Sequence, residues 1–436
     1  MWNESIVNFI QTKESKTIFS NYTNKEVSFS FKGASFSFNL SRSLFSSFDI
    51  DAGSKLLLKS ISKKIDTTNV KQIMDIGCGV GVLGLSLLPH CHKEASLICE
   101  DRNALALLYT YHNGLKNNIE ANRITPRWNL FLQEAINEQV DLLVSNIPAK
   151  AGNNIIKLFL QNSISWVKPQ SGVVAIVIVK PLADLAIKSV TEANIPISYR
   201  EENSEYLVLH LKNPLTTKQK QISNDNYIRN FANFNLKKIS YPLHSVYNLP
   251  DFDTISYNII QLSELILSIP LFKEKKHSDK EKRSVAFINP GQGHLPLYTL
   301  AALLQENPNF DFSTLEIILY GVDYLELLIT NKNIQDFLNQ KKKTLSLTTK
   351  LLFQIEENEP ECFIFNPTST SLPHEIDFII NKLSDMKQKH TLLFATKSND
   401  FTQIQKLLKS YSIIRHKKGR GYKAGYFIKK IERSKI

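Results

Sequence analysis

The stretch MDIGCGVGVLGL, Met74–Leu85, decides how this chain is read. Asp75 closes an apolar run, KQIMDI, with strand character, and GVLGLSLL after it has helical spacing. A glycine turn joins the two. Gly77 and Gly79 let the backbone turn tightly and approach a ligand, and Gly81 lets the following helix pack closely. A glycine turn alone is a weak sign, because many folds use one. A strand before it and a helix after it supply the context that a nucleotide-binding turn needs. The alternative is a bare glycine turn in a doubly wound domain.

Outward from this stretch, short apolar segments alternate with helical ones. Strands are expected at ASLICE, WNLFL, VDLLVS and GVVAIVIV, then near IPISYR and EYLVLHL. Helices are expected at ALALLYTYHNGLKNN, NNIIKLFLQNSISW and PLADLAIKSVTEA. Such alternation predicts an α/β fold, a parallel sheet with helices on both faces. The last two strands have no helix between them, which predicts an antiparallel hairpin at the sheet edge. Upstream, VSFSFKGASFSFN (Val27–Asn39) alternates polar and apolar residues around Gly33, a hairpin pattern. The segment SKLLLKSISKKI reads as an amphipathic helix.

A chain of 436 residues exceeds what one core usually serves, so two domains are expected. The cysteines, Cys78, Cys91, Cys99 and Cys362, lack paired spacing and read as free thiols in a reducing cytosol. His90-Cys91-His92 cannot easily converge on one ion, so no metal is expected. The N-terminus lacks the features of a signal peptide, and the longest apolar run, Gly172–Val179, is too short to span a bilayer. A cytoplasmic protein without membrane association is the expectation. The net charge of +12 favours a polyanion, nucleic acid first, against a plain lysine-rich bias. A monomer is the simplest expectation, and the pattern does not fix the oligomeric state.

The polar stretch KNPLTTKQKQISNDN, Lys212–Asn226, reads as a linker. It gives a first domain over 1–213, a linker over 214–226 and a second domain over 227–436. The second half repeats the first in order. Ser43–Leu58 matches Ser245–Ile260, with Asp49 and Asp51 on Asp251 and Asp253. Ile73–Leu85 matches Phe287–Thr299, Leu105–Asn113 matches Leu325–Asn333, and Asp141–Pro148 matches Glu361–Thr368. In this register Asp75 falls on Asn289, Gly81 on Leu295, Asp101 on Gly321 and Asn146 on Asn366. The second copy has then lost two carboxylates and a glycine.

Asp75-Ile76-Gly77-Cys78-Gly79-Val80-Gly81 resembles motif I of class I S-adenosylmethionine-dependent methyltransferases. That resemblance implies S-adenosylmethionine as cofactor, with its methionine part facing the glycine loop and Asp75 ordering the loop and the amino group. It implies a carboxylate for the ribose hydroxyls at the next strand end. Spacing to Ala106-Leu107 favours Asp101, with Glu100 the alternative. Gln133 or Glu134 would stand near the adenine. SNIPAKAG, Ser145–Gly152, resembles the Asn-Pro-Pro-aromatic loop of enzymes that methylate exocyclic amines. Asn146 and Pro148 keep two positions of that loop, Ile147 replaces a proline, and Ala149 stands where the aromatic belongs. Lys150 is either a phosphate contact or a solvated lysine.

SLFSSFDIDAGSKLLLKSI resembles the segment before motif I in the ribosomal RNA guanine-N2 methyltransferases, the methyltransferase small domain family. Phe45, Ser46, Asp51, Gly53, Leu56 and Leu57 carry it, and Asp101, Ala106, Leu107, Thr110 and Asn113 extend it. The resemblance covers about residues 25–212. It implies two tandem Rossmann-like methyltransferase folds, one degenerate. In familiar members the degenerate copy comes first; here it is the C-terminal one. The implied function is methyl transfer to nitrogen on RNA, with a ribosomal guanine exocyclic amine as target. The alternatives are a protein or small-molecule acceptor, or a non-catalytic RNA-binding or assembly protein. No metal is required, since a sulfonium leaving group needs no Lewis acid. The stretch RHKKGRGYKAGYFIKKIERSK, Arg415–Lys435, interleaves basic residues with Tyr422, Tyr426 and Phe427. It reads either as an RNA-binding hairpin or as an edge strand protected by lysines.

Overall fold

The computed structural model describes residues 2–45, 48–213, 218–269, 283–355, 360–367 and 373–430. Ser46, residues 214–217 of the expected linker, Thr368 and residues 431–435 of the basic stretch lie outside these, as does most of the charged stretch KEKKHSDKEKR, Lys273–Arg283, which reads from sequence as a solvated loop. The chain divides into two compact units, Met1–Tyr227 and Ile228–Ile436.

The first unit begins with α1 (Trp2–Ile10) and α2 (Lys13–Tyr22). Then come the hairpin β1 (Lys25–Phe31) and β2 (Ala34–Leu40), α3 (Ala52–Lys64), β3 (Gln72–Ile76), α4 (Val82–Leu87) and β4 (Ser96–Asp101). There follow α5 (Ala104–Lys116), β5 (Ile124–Trp128), β6 (Leu142–Asn146), α6 (Asn153–Ser163), β7 (Val173–Val179), α7 (Ala183–Glu192), β8 (Ile197–Glu202) and β9 (Tyr206–Lys212). The sheet order is β5-β4-β3-β6-β7-β9-β8. The first five are parallel, and β9 and β8 close the edge as the expected antiparallel hairpin. The apolar run VVAIVIV is β7, buried on both faces as a central strand must be.

The third strand differs from its expectation. WNLFL is a loop after Trp128, and the strand is ITPRW, Ile124–Trp128. Its buried residues, Ile124, Pro126 and Trp128, alternate along one face. Pro126 cannot donate to a ladder, but β5 is an edge strand and tolerates it.

Two asparagines one helical turn apart, Asn113 on α5 and Asn117 at its C-cap, seat the β1–β2 hairpin. The Asn113 and Asn117 side-chain oxygens accept from the backbone N–H groups of Asn39 and Ser37, at 2.9 and 2.8 Å. Asn113 Nδ2 also donates to Val80 O in the glycine loop, at 3.0 Å, and Thr110 Oγ1 donates to Gly79 O at 3.1 Å. One helix face thus fixes both the hairpin and the loop.

The expected linker is packed rather than free where it is described. Trp166 Nε1 donates to Lys220 O at 2.9 Å, Ile222 N donates to Leu132 O at 3.0 Å, and Ile222 is 1% exposed. These bonds make residues 218–227 part of the first unit.

The second unit contains β10 (Ile228–Leu236), β11 (Ile239–Val246), α8 (Tyr257–Ile266), β12 (Arg283–Ile288), α9 (His294–Glu306), β13 (Leu315–Gly321) and α10 (Tyr324–Lys341). It continues with β14 (Ser346–Leu351), β15 (Cys362–Phe365), α11 (Pro373–Asp385), β16 (Thr391–Lys397), α12 (Ser398–Leu407), β17 (Tyr411–Gly419) and β18 (Tyr422–Lys429). Its sheet order, β14-β13-β12-β15-β16-β18-β17, repeats that of the first unit. Both units are Rossmann-like methyltransferase folds.

Hydrogen bonds fix the correspondence between the units, and they correct the one expected at motif I. Thr330 Oγ1 donates to Gly291 O and Asn333 Nδ2 to Gln292 O, as Thr110 and Asn113 do to Gly79 and Val80. Gly81 and Gly293 cap α4 and α9 with φ of 90° and 93°. Asp75 therefore corresponds to Phe287, Gly77 to Asn289 and Gly81 to Gly293. GCGVG holds two overlapping G-x-G triplets, and GQG corresponds to the second, not the first. The second unit has indeed lost both carboxylates, to Phe287 and Gly321, but the lost glycine is Gly77. Nor does Asp253 repeat Asp51: α3 is capped by Asp51, whereas α8 starts after Ser256 and Asp253 pairs with Arg229.

Candidate active site

Because β3, β4 and β6 run parallel, their C-terminal residues Ile76, Asp101 and Asn146 share one sheet edge, where ligands bind in open α/β sheets. Asp75, one residue before that edge, is 1% exposed. Its Oδ2 accepts the Gly84 N–H at 2.8 Å, in the first turn of α4. Its Oδ1 is buried and has no hydrogen-bond partner among the described residues. Burial pushes the Asp75 carboxyl up to about 7; the Gly84 N–H opposes this and the Asp101 charge adds to it.

Asp101 and Glu100 are neighbours on a strand, so their side chains face opposite ways. Asp101 turns to the glycine loop: Oδ2 accepts the Gly79 N–H at 3.1 Å and Oδ1 accepts the Asn103 N–H at 2.8 Å. Glu100 is fully buried and accepts from Asn129 Nδ2 and Leu132 N, each at 3.3 Å, and from Arg127 Nε at 3.4 Å. Burial raises the Glu100 carboxyl to about 7, opposed chiefly by Arg127. Asp101 is therefore the carboxylate on the loop, while Glu100 organises the segment after β5. In that segment the Gln133 Oε1 is buried without a partner among the described residues. Arg127 Nη2 donates to Glu134 O at 2.7 Å and lies 4.0 Å from the Glu134 carboxylate.

The glycines divide by surroundings. A Cβ on Gly81 would lie 2.6 Å from Leu85 Cδ1 and 3.0 Å from Thr110 Cγ2, so this glycine serves packing. At Gly79, with φ of +57°, nothing lies within 4 Å of such a Cβ. At Gly77 the nearest atoms belong to Phe131, at 3.9 Å, and Pro148, at 4.0 Å. The structure thus brings the SNIPAK loop against the glycine loop.

Asn146 ends β6. Its Nδ2 donates to Asp51 Oδ2 at 2.7 Å and to Ser54 Oγ at 3.0 Å. Its Oδ1 accepts no hydrogen bond among the described residues. Ile147 is buried, and its N–H bonds Val177 O at 2.9 Å, a ladder bond a proline could not make. Pro148, Ala149 and Lys150 are exposed. Tyr206, at the start of β9, donates to Asp51 Oδ1 at 3.4 Å. Sequence reasoning missed Arg127, Asn129, Phe131, Ser54 and Tyr206. Asp51 had carried only part of a resemblance; its helix-capping carboxylate was the signal for more.

The corresponding region of the second unit is filled by its own side chains. Glu326 Oε1 accepts the Gly291 N–H at 2.6 Å, as Asp101 does for Gly79, and a Cβ on Gly321 would meet Glu326 Oε2 at 3.3 Å. Asn289 Nδ2 donates to Glu375, and Asn366 Oδ1 accepts from Asn258 Nδ2, each at 2.5 Å.

The basic stretch forms β17 and β18, with a tip at Arg420-Gly421. Tyr426 and Phe427 are buried, Phe427 stacking on Phe394 at 5.2 Å, so neither is free to stack on a base. Lys429 is also buried and donates to the carbonyl of Leu383 at 3.4 Å. Arg415, Lys417 and Lys418 remain exposed. Among the described residues no group of His, Cys, Asp and Glu is arranged to hold a metal, and no helix is long and apolar enough to cross a membrane.

Residues 35–209 match the family model described as methyltransferase small domain. The uncharacterized protein YbxB of Bacillus subtilis is 25% identical over 191 residues, 44% of this chain and 92% of that protein. Ribosomal RNA small subunit methyltransferase C of Actinobacillus pleuropneumoniae is 35% identical over 109 residues, 25% of this chain and 31% of that enzyme. The chain thus spans about a third of the length of that relative. Among solved structures, the T. thermophilus 16S rRNA N2 methyltransferase in complex with AdoMet and guanosine matches with a TM-score of 0.58 at 15% identity. That match covers 94% of this chain and 99% of that one, and it speaks to fold.

Proposed function

From a first unit that is a class I S-adenosylmethionine-dependent methyltransferase domain of the methyltransferase small domain family, we infer that the chain methylates a nitrogen on RNA. The finer target is an exocyclic amine of a ribosomal RNA guanine, reached in the cytoplasm. The residues at this sheet edge fit the cofactor: a buried Asp75 Oδ1 without a partner among the described residues suits an ammonium group, and open space at Gly79 suits a ligand lying on the loop. Asp101 has the position to accept the ribose hydroxyls. When bound, the cofactor supplies a methyl on a positively charged sulfur that leaves as a neutral thioether.

Asn146 carries the nitrogen target. An exocyclic amine is a poor nucleophile, because its lone pair is spread into the ring. The unpartnered Asn146 Oδ1 accepts one amine N–H, and a carbonyl of the Pro148 loop accepts the other. Held so, the lone pair turns out of the ring plane and toward the methyl. The gain is orientation, plus support for the positive charge that develops on nitrogen. The proton then leaves to water, since such an amine is a strong acid once methylated and charged.

Ala149 offers no ring for the base to stack on. Phe45 and Phe48 are 72% and 63% exposed on the segment that leads into Asp51, and we assign the stacking face to them. Phosphates would meet exposed residues such as Lys150, Arg415 and Lys418. The small side chain of Ala149 favours one second reading, a protein or small-molecule acceptor. Transfer of labelled methyl to ribosomal RNA, against total protein, from cells lacking this chain decides between them. Label in RNA alone is expected; label in protein alone refutes the RNA target.

A further inference from the structure

We propose that Asp51 is a positioning residue that sets which end of the Asn146 amide meets the acceptor. This rests on the nitrogen target inferred above. An asparagine side chain has a donating end and an accepting end, and only the accepting end can hold an amine N–H. Asp51 is the N-cap of α3, where Oδ2 accepts the Ser54 N–H at 3.1 Å. The same oxygen takes Asn146 Nδ2 at 2.7 Å, and Ser54 Oγ takes it at 3.0 Å. A carboxylate only accepts. Turning the Asn146 amide over would set two acceptor oxygens against each other at hydrogen-bond distance. Tyr206 holds the other carboxylate oxygen at 3.4 Å, so the side chain is fixed from both sides.

The second unit supplies the contrast. Asn366 stands at the equivalent position, but its neighbour is the amide of Asn258, and its accepting oxygen is taken at 2.5 Å. No aspartate caps α8 there. The sense of the amide thus follows from its partner, and only the first unit leaves the acceptor to a ligand.

The test is Asp51→Ser in the full chain. Serine also caps helices well, so α3 is kept while the hold on Asn146 is lost. We expect kcat to fall about 10- to 100-fold, with cofactor affinity by calorimetry and KM for RNA within about twofold of wild type. In an Asn146→Ala background the same change should cost nothing further, because both act as one unit. Independently of activity, the side-chain NH2 pair of Asn146 in a 15N spectrum should be protected from exchange in wild type and lose that protection in Asp51→Ser. Equal losses in both backgrounds, a wild-type kcat, or an unmoved Asn146 pair would each overturn the proposal. A wild-type chain that methylates no nitrogen acceptor would overturn the target instead, leaving the NMR result to decide the role of Asp51.

Discussion

Asp75 makes cofactor binding depend on pH in a way that can be worked out in advance. Its carboxyl lies at about 7 in the free protein because it is buried, with Oδ1 unpartnered. An ammonium group placed against that oxygen requires the ionised form, so binding below this value must release a proton. With a pKa of 7, about half of the groups are ionised at pH 7 and about a tenth at pH 6. Affinity should therefore weaken about fivefold from pH 7 to pH 6, and about tenfold for each further unit. The range from pH 7 down to pH 5.5 keeps the cofactor's own amino group protonated. Calorimetry in two buffers of different ionisation heat reads both the affinity and the proton. Asp75→Asn keeps an acceptor for Gly84 but cannot titrate, so its affinity should be low and flat with pH. A flat profile in wild type, or the same slope in Asp75→Asn, would refute the placement of the ammonium at Asp75. The second outcome would point to Glu100, whose carboxyl also lies near 7.

Other outcomes follow from the same geometry. Gly79→Ala and Gly33→Ala impose similar backbone strain, of about 1–2 kcal/mol, at φ of +57° and +80° in open surroundings. Melting curves should drop alike, while calorimetry should show lost cofactor affinity only for Gly79→Ala. Phe48→Ala should raise KM for RNA several-fold in steady-state assays and leave cofactor affinity unchanged; an unchanged KM would remove Phe48 from the stacking face. The buried histidines His112, His210, His294 and His390 are each lowered to about 4 by burial. Between about pH 6.5 and 4 the unfolded chain binds more protons at these four than the folded one, so they remove stability as the pH is lowered. Asp75 and Glu100, raised to about 7, and Asp251, also raised by burial, act in the opposite sense but are fewer than the histidines. Calorimetric melts of the free protein should therefore start lower at pH 5 than at pH 7.

Where a pattern reports a local physical constraint, it could be read directly from the chain. The run VVAIVIV has only one use in an α/β sheet, and it became the central β7. Gly77 and Gly79 were legible because only glycine adopts their conformations freely. WNLFL misled because its apolar residues pack as loop side chains, while Pro126 hid a real edge strand. The strap over residues 218–227 is polar in composition, and its bonds to Leu132 and Trp166 cross long sequence distances that composition does not register. Tyr206 reaches Asp51 only because β9 folds back antiparallel to β7, which places the start of one beside the end of the other. The overlapping G-x-G triplets show the limit of string matching. Only the bonds from Thr330 and Asn333 set the register of the second unit.

Titration of the full chain with S-adenosylmethionine, for wild type and for Asp101→Ala, bears most directly on the claim that the first unit alone holds the cofactor. The account predicts one binding site per chain in wild type and its loss in Asp101→Ala. Two sites, no binding to wild type, or full affinity in Asp101→Ala would contradict it.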